Sequence, residues 1–62
     1  MKLTLKGARV NAGYTQKQVA DKVNVSETAV TNWELGKNKI PAIKLKELSC
    51  IYNLKMDDFL LP

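Results

Sequence analysis

Apolar and polar residues follow one another along this chain with a helical period, broken by Gly13, Asn24, Gly36 and Asn53. Glycine and asparagine are the residues that most readily take the left-handed conformation after a helix, so each break reads as a helix end. Leu5, Ala8 and Ala12 fall at i, i+3 and i+7 and predict a first helix from about Lys2 to Ala12. Arg9 lies beside that face. Gly7 weakens the helix by about 1 kcal/mol relative to alanine, a cost that fits close approach of another helix or of a phosphate. Val19, Ala20 and Val23 predict a second helix over Gln16–Val23, with Lys17, Asp21 and Lys22 toward water. Val30 and Trp33 place the buried side of a third helix over Glu27–Leu35. Leu45, Leu48 and Tyr52, edged by Ile51 and Ala42, give a fourth from about Pro41 to Tyr52. A short fifth, from about Met56 to Leu60, puts Met56, Phe59 and Leu60 on the core or on a partner. No stretch keeps a strand alternation, so the expected fold is all-α with five helices.

The connections carry their own signals. Tyr14 follows the Gly13 stop as a hydrophobic plug. Thr15 with Gln18 three residues on completes a capping box at the start of the second helix. Asn24-Val25 forms the turn, with Val25 tucked into the core, and Ser26 caps the third helix. Pro41 suits the first turn of the fourth helix and pushes Ile40 extended. The stretch Gln16–Leu35 is thus two short helices about a tight turn, and residues 1–62 read as one domain.

Composition narrows the chemistry. The 62 residues hold no histidine and one cysteine, Cys50, so neither an internal disulfide nor a zinc site is expected. Cys50 reads as an inert, partly buried thiol. Ten basic against six acidic side chains leave a net charge of +4, which favours a polyanionic partner. The excess lies mainly in residues 1–31, where only Asp21 and Glu27 oppose five basic side chains. No apolar run approaches the roughly 20 residues that span a bilayer, and the first residues lack a signal-peptide pattern. A cytoplasmic protein without membrane, cofactor or small-molecule ligand is expected. An enzyme fails on inventory: there is no glycine-rich phosphate loop, no paired carboxylates in a predicted cleft and no activated nucleophile. Asp57 and Asp58 are neighbours that point apart on a helix.

With Val30 and Trp33 holding its back, the third helix turns Glu27, Thr28, Thr31 and Asn32 outward. Asn32 suits a bidentate contact to adenine N6 and N7, Thr28 a thymine methyl or an acceptor, and Glu27 cytosine N4. Glu27 fits equally a surface acid that complements the helix dipole. Thr31 reads as an exposed threonine or a phosphate contact. Trp33, spaced from Val30 as it is, belongs to the core rather than to a base-stacking platform.

At these residues the chain resembles the phage repressor and Cro family of helix-turn-helix DNA-binding domains, also called lambda-repressor-like or XRE. The likeness runs from Arg9 through Gly13-Tyr14-Thr15-Gln16, Val19-Ala20, Val25-Ser26, Val30, Trp33-Glu34 and Gly36. It continues through Pro41 and Leu45 to Asn53-Leu54-Lys55-Met56-Asp57. The chain departs at Asn24, where the family most often has glycine; asparagine can take the same backbone conformation.

The resemblance implies a five-helix domain that binds a two-fold symmetric operator as a homodimer, with the third helix in the major groove. It implies base contacts mainly at Glu27, Thr28 and Asn32, with Thr31 on the same face. It implies that Gln16 hydrogen-bonds a phosphate and steadies a recognition-helix side chain, with Thr15 and Lys17 beside the same phosphate, and that the loop Lys37-Asn38-Lys39 grips the backbone. It further implies a structural salt bridge from Arg9 to Glu34. Met56, Phe59, Leu60 and Leu61 close the core or form a dimer patch. The function expected is a sequence-specific regulator of transcription, most often a repressor that blocks polymerase. A second expectation, of another class, is an antitoxin-like or partner-binding module on the same fold.

Overall fold

Thr15 and Ser26 set where the two central helices begin. A computed structural model describes residues 2–62. In it Thr15 Oγ1 accepts from the Gln18 amide (3.1 Å) and Gln18 Oε1 accepts from the Thr15 amide (2.8 Å). This reciprocal box opens α2, Gln16–Val23. Asn24 ends α2 at φ 60°, in the left-handed region. Ser26 Oγ then accepts from the Ala29 amide (3.1 Å) and opens α3, Glu27–Leu35, which Gly36 closes at φ 78°.

The two ends of the chain differ from the sequence expectation, and for a shared reason. Leu3–Thr4 is extended as β1 and pairs in parallel with β2, Phe59–Leu60, in the register Leu3 to Phe59 and Thr4 to Leu60. Helix α1 is therefore shorter than expected, Leu5–Asn11. Thr4 caps it, Oγ1 accepting from the Gly7 amide at 3.0 Å. A Cβ on Gly7 would stand 3.1 Å from that oxygen, so the close neighbour within the chain is the cap rather than another helix. At the other end, the expected fifth helix is a single 3-10 turn, Met56–Asp58. Asp58 both donates from its amide to Lys55 O (2.9 Å) and accepts from the Lys55 amide (3.0 Å). Phe59 leaves that turn extended (φ −90°, ψ 133°) and passes into β2. Helix α4 runs Ala42–Tyr52, with Pro41 as its N-cap rather than its first residue and Asn53 ending it at φ 56°. The described residues thus form four α-helices, not five, and the all-α class stands with a minimal sheet tying its ends together.

One core joins all these elements. Leu5 and Ala8 from α1, Val19, Ala20 and Val23 from α2, Val30 and Trp33 from α3, and Leu45, Leu48 and Tyr52 from α4 are buried with Phe59 of β2. Each large apolar side chain so buried contributes about 1.5–3 kcal/mol. Tyr14, half-buried, packs beside Tyr52 with ring centroids 6.4 Å apart, and the Lys22 ammonium lies 5.3 Å from the Tyr14 ring centroid. Burial, aided by the charge of Glu34, pushes the Tyr52 phenol up to about 12, so the ring packs as a neutral group. Lys44 Nζ donates to Val23 O at 2.8 Å and pins α4 to the C-terminal end of α2. Cys50 is exposed, not partly buried; its neighbour Ser49 is the buried one, with its hydroxyl satisfied by Lys46 O at 2.6 Å. No helix among the described residues is long and apolar enough to cross a membrane.

Candidate nucleic-acid interface

The front of α3 is set by its back. Val30 and Trp33, 2% and 7% exposed, fix the rotation of the helix on the core. Thr28, Thr31 and Asn32, one, four and five positions on from Glu27, then share the opposite side with it. Glu27 and Thr28 are exposed there, and Thr31 and Asn32 are half-buried. Glu27 sits in the first turn, where a carboxylate meets the positive end of the helix dipole.

A chain of hydrogen bonds joins that front to α1 and to the start of α2. Arg9 Nε donates to Glu34 Oε2 at 2.7 Å and Arg9 Nη2 to Glu34 Oε1 at 3.3 Å, a two-pronged contact. The third nitrogen, Nη1, donates to the Tyr14 carbonyl at 2.9 Å. Gln16 Nε2 donates to Glu34 Oε1 at 3.0 Å, and Thr31 Oγ1 donates to Gln16 Oε1 at 2.7 Å. The Arg9 and Glu34 side chains are 11% and 5% exposed, so this ion pair is largely removed from water. The hydrogen bond to Glu34 raises the Arg9 pKa against the opposing effect of burial. The family likeness implies that Gln16 steadies a side chain of α3, but it names neither Thr31 as that side chain nor the Tyr14 carbonyl as a member. The Thr31 bond depends on how α2 and α3 cross, for which spacing along the chain carries no signal, and the Tyr14 carbonyl on how the chain turns after α1.

The other candidate contacts surround this network. Gln16 is half-buried, and Thr15 and Lys17 are exposed beside it at the N-terminus of α2. The Thr15 oxygen accepts the cap hydrogen bond and keeps its own proton to give. Lys37, Asn38 and Lys39 are exposed in the loop directly after α3, and the amides of Lys37 and Asn38 donate back to Asn32 O. Lys17, Lys37 and Lys39 take part in neither of the two ion pairs among the described residues. Of the residues offered for a dimer patch, Met56, Leu60 and Leu61 are 41%, 52% and 49% exposed. Phe59, at 6%, is committed to the core and is withdrawn from that patch. Among the described residues no group of three or more His, Cys, Asp or Glu side chains could hold a metal ion.

This geometry has known counterparts. The model of the helix-turn-helix family matches residues 5–59. The HTH-type transcriptional regulator ImmR of Bacillus subtilis (strain 168) is 40% identical over 53 residues, which are 86% of this chain and 42% of that protein. The chain therefore spans less than half the length of that curated relative. No solved structure matches the chain at a significant level. Helix-turn-helix regulators are in general not enzymes. Since the matched segment takes in α1 to α4 and the whole Gln16–Thr31–Glu34 junction, the chain belongs to the Cro/repressor-type helix-turn-helix family of DNA-binding regulators.

Proposed function

We propose that residues 1–62 act as a single sequence-specific domain that represses transcription, binding a palindromic operator as a dimer with α3 in the major groove. The observation that carries this reading is the polar front of α3, bonded through Thr31 and Gln16 to the N-terminus of α2. A helix fixed on its back and tied at its side to a phosphate-binding helix end has the two parts of a base reader.

Asn32 reads adenine through N6 and N7, Thr28 meets a thymine methyl, and Glu27 accepts from cytosine N4. Thr31 lies among them. Thr15, Gln16 and Lys17 hold one phosphate at the start of α2, where Gln16 keeps a second amide hydrogen beyond the one given to Glu34. Lys37, Asn38 and Lys39 grip the backbone past the end of α3. The net charge of +4 draws the chain to the polyanion. A cytoplasmic regulator of phage or bacterial origin fits these properties.

Selection of binding sites from random duplex tests the reading. A two-fold symmetric site is expected, with half-sites about one helical turn, roughly 34–36 Å, apart. An enriched site without symmetry would remove the dimer. No DNA binding at about physiological salt would remove the DNA reading and leave the partner-binding module.

A further inference from the structure

The hydrogen bonds at the side of α3 run in one direction, and charge imposes it. The Glu34 carboxylate has no proton to give, so Arg9 Nε (2.7 Å) and Gln16 Nε2 (3.0 Å) both donate to it. With its amide nitrogen held there, Gln16 offers its oxygen on the other side, and an amide oxygen only accepts. Thr31 Oγ1 stands 2.7 Å from that oxygen and 3.1 Å from the backbone oxygen of Glu27. A hydroxyl has one proton, and both of these neighbours are acceptors. Whichever takes the proton, it stays inside the protein. Turning the Gln16 amide over gives no way out, because its oxygen would then face the Glu34 carboxylate. Thr31 is only half-buried and shares the outward strip with Thr28 and Asn32. What its oxygen has left for a partner is acceptor capacity.

We infer that Thr31 reads DNA as an acceptor only, taking a hydrogen bond from an exocyclic amino group in the major groove, adenine N6 or cytosine N4. It gives none to a phosphate, to purine N7 or to thymine O4. This rests on the major-groove reading proposed above and names the chemistry of one contact within it. Glu34 is then a positioning residue: it fixes the polarity of Thr31 through Gln16 without touching DNA.

The test uses single-atom base analogues in the selected site. At each position a purine replaces adenine, or a pyrimidinone replaces cytosine, to delete the amino group; a 7-deazapurine deletes N7. Wild type, Thr31→Val, Thr31→Ser and Glu34→Gln are titrated on each duplex, with circular dichroism to show that each variant is folded. At one base pair per half-site, deleting the amino group should weaken wild type and Thr31→Ser about tenfold and leave Thr31→Val unchanged. The 7-deaza change there should affect those three proteins alike. Glu34→Gln, which frees the amide to turn, should lose part of the coupling to the amino group. The assignment is overturned if Thr31→Val is insensitive to loss of N7 instead. An equal weakening of Thr31→Val on selected and random duplex, the mark of a lost phosphate contact, also overturns it, as does a wild-type response of Thr31→Val to every analogue. Full coupling in Glu34→Gln would remove Glu34 from the polarity. If no site is selected at all, the major-groove reading falls, and this inference with it. A selected site with the wrong atom coupled overturns the polarity alone.

Discussion

Asn32 and Glu34 lie two positions apart on α3 and have opposite tasks. The Asn32 side-chain amide takes part in none of the side-chain hydrogen bonds among the described residues, so both of its ends are free for a base. Asn32→Ala should cost about 1–3 kcal/mol on the selected site and little on random duplex. Parallel titrations check this, and equal losses on both would make Asn32 a general contact. Glu34 instead gathers Arg9 and Gln16 on one carboxylate at 5% exposure. Glu34→Ala leaves the Arg9 guanidinium without its counter-charge and should lower the unfolding free energy by about 3 kcal/mol in urea denaturation. A loss below about 1 kcal/mol would put the pair with ordinary surface bridges. At this level the sequence speaks unevenly. The polar strip of α3 follows from the spacing of Val30 and Trp33 alone. Arg9 and Glu34, 25 residues apart, are paired in advance only by family likeness. The Thr31–Gln16 bond needs the crossing of α2 and α3.

Helix ends were readable because they are local: Thr15 with Gln18, Ser26, Asn24, Gly36 and Asn53 each act within a few residues. β1 and β2 were not, since two residues have no period and their partners stand at opposite ends of the chain. Thr4 escaped as a cap because the apolar spacing carries the first helix back to about Lys2, which puts Thr4 inside it. Two of the helix ends are glycines, and they separate the costs of conformation and of contact. Gly13 has φ 82° with nothing within 4 Å of a would-be Cβ, so Gly13→Ala should cost only the left-handed strain, about 1–2 kcal/mol. At Gly36, φ 78°, the added Cβ would also stand 2.7 Å from Pro62 Cβ. Gly36→Ala should therefore destabilise more than Gly13→Ala, by thermal unfolding of the two variants side by side. Equal losses would mean that the Pro62 end moves aside without cost.

For the whole molecule, electrostatics and self-association set how the reading helix is delivered. The net charge of +4 is not a single patch, so removing one lysine should change the salt dependence by about one phosphate. Lys39→Ala should weaken binding to all sequences and reduce the slope of log K against log salt by about 0.9. An unchanged slope would take Lys39 off the phosphate. Dimerisation is the harder question, because the C-terminal segment both closes the core and offers apolar surface. The alternation of β2 separates these uses: Phe59 points into the core at 6% exposure, while Leu60 next to it is 52% exposed and Leu61 49%. A substitution at Phe59 would confuse folding with association, and one at Leu60 does not. Leu60→Glu should leave the unfolding free energy of the monomer within about 0.5 kcal/mol of wild type, as for other exposed positions. If Leu60 lies in the proposed dimer surface, the new charge weakens association. Sedimentation should then show monomer where the parent chain pairs, and operator binding should become the sum of two independent half-sites. An unchanged binding curve with an unchanged sedimentation profile would move the dimer surface elsewhere on the molecule and leave the exposed leucines of β2 and its tail without that role.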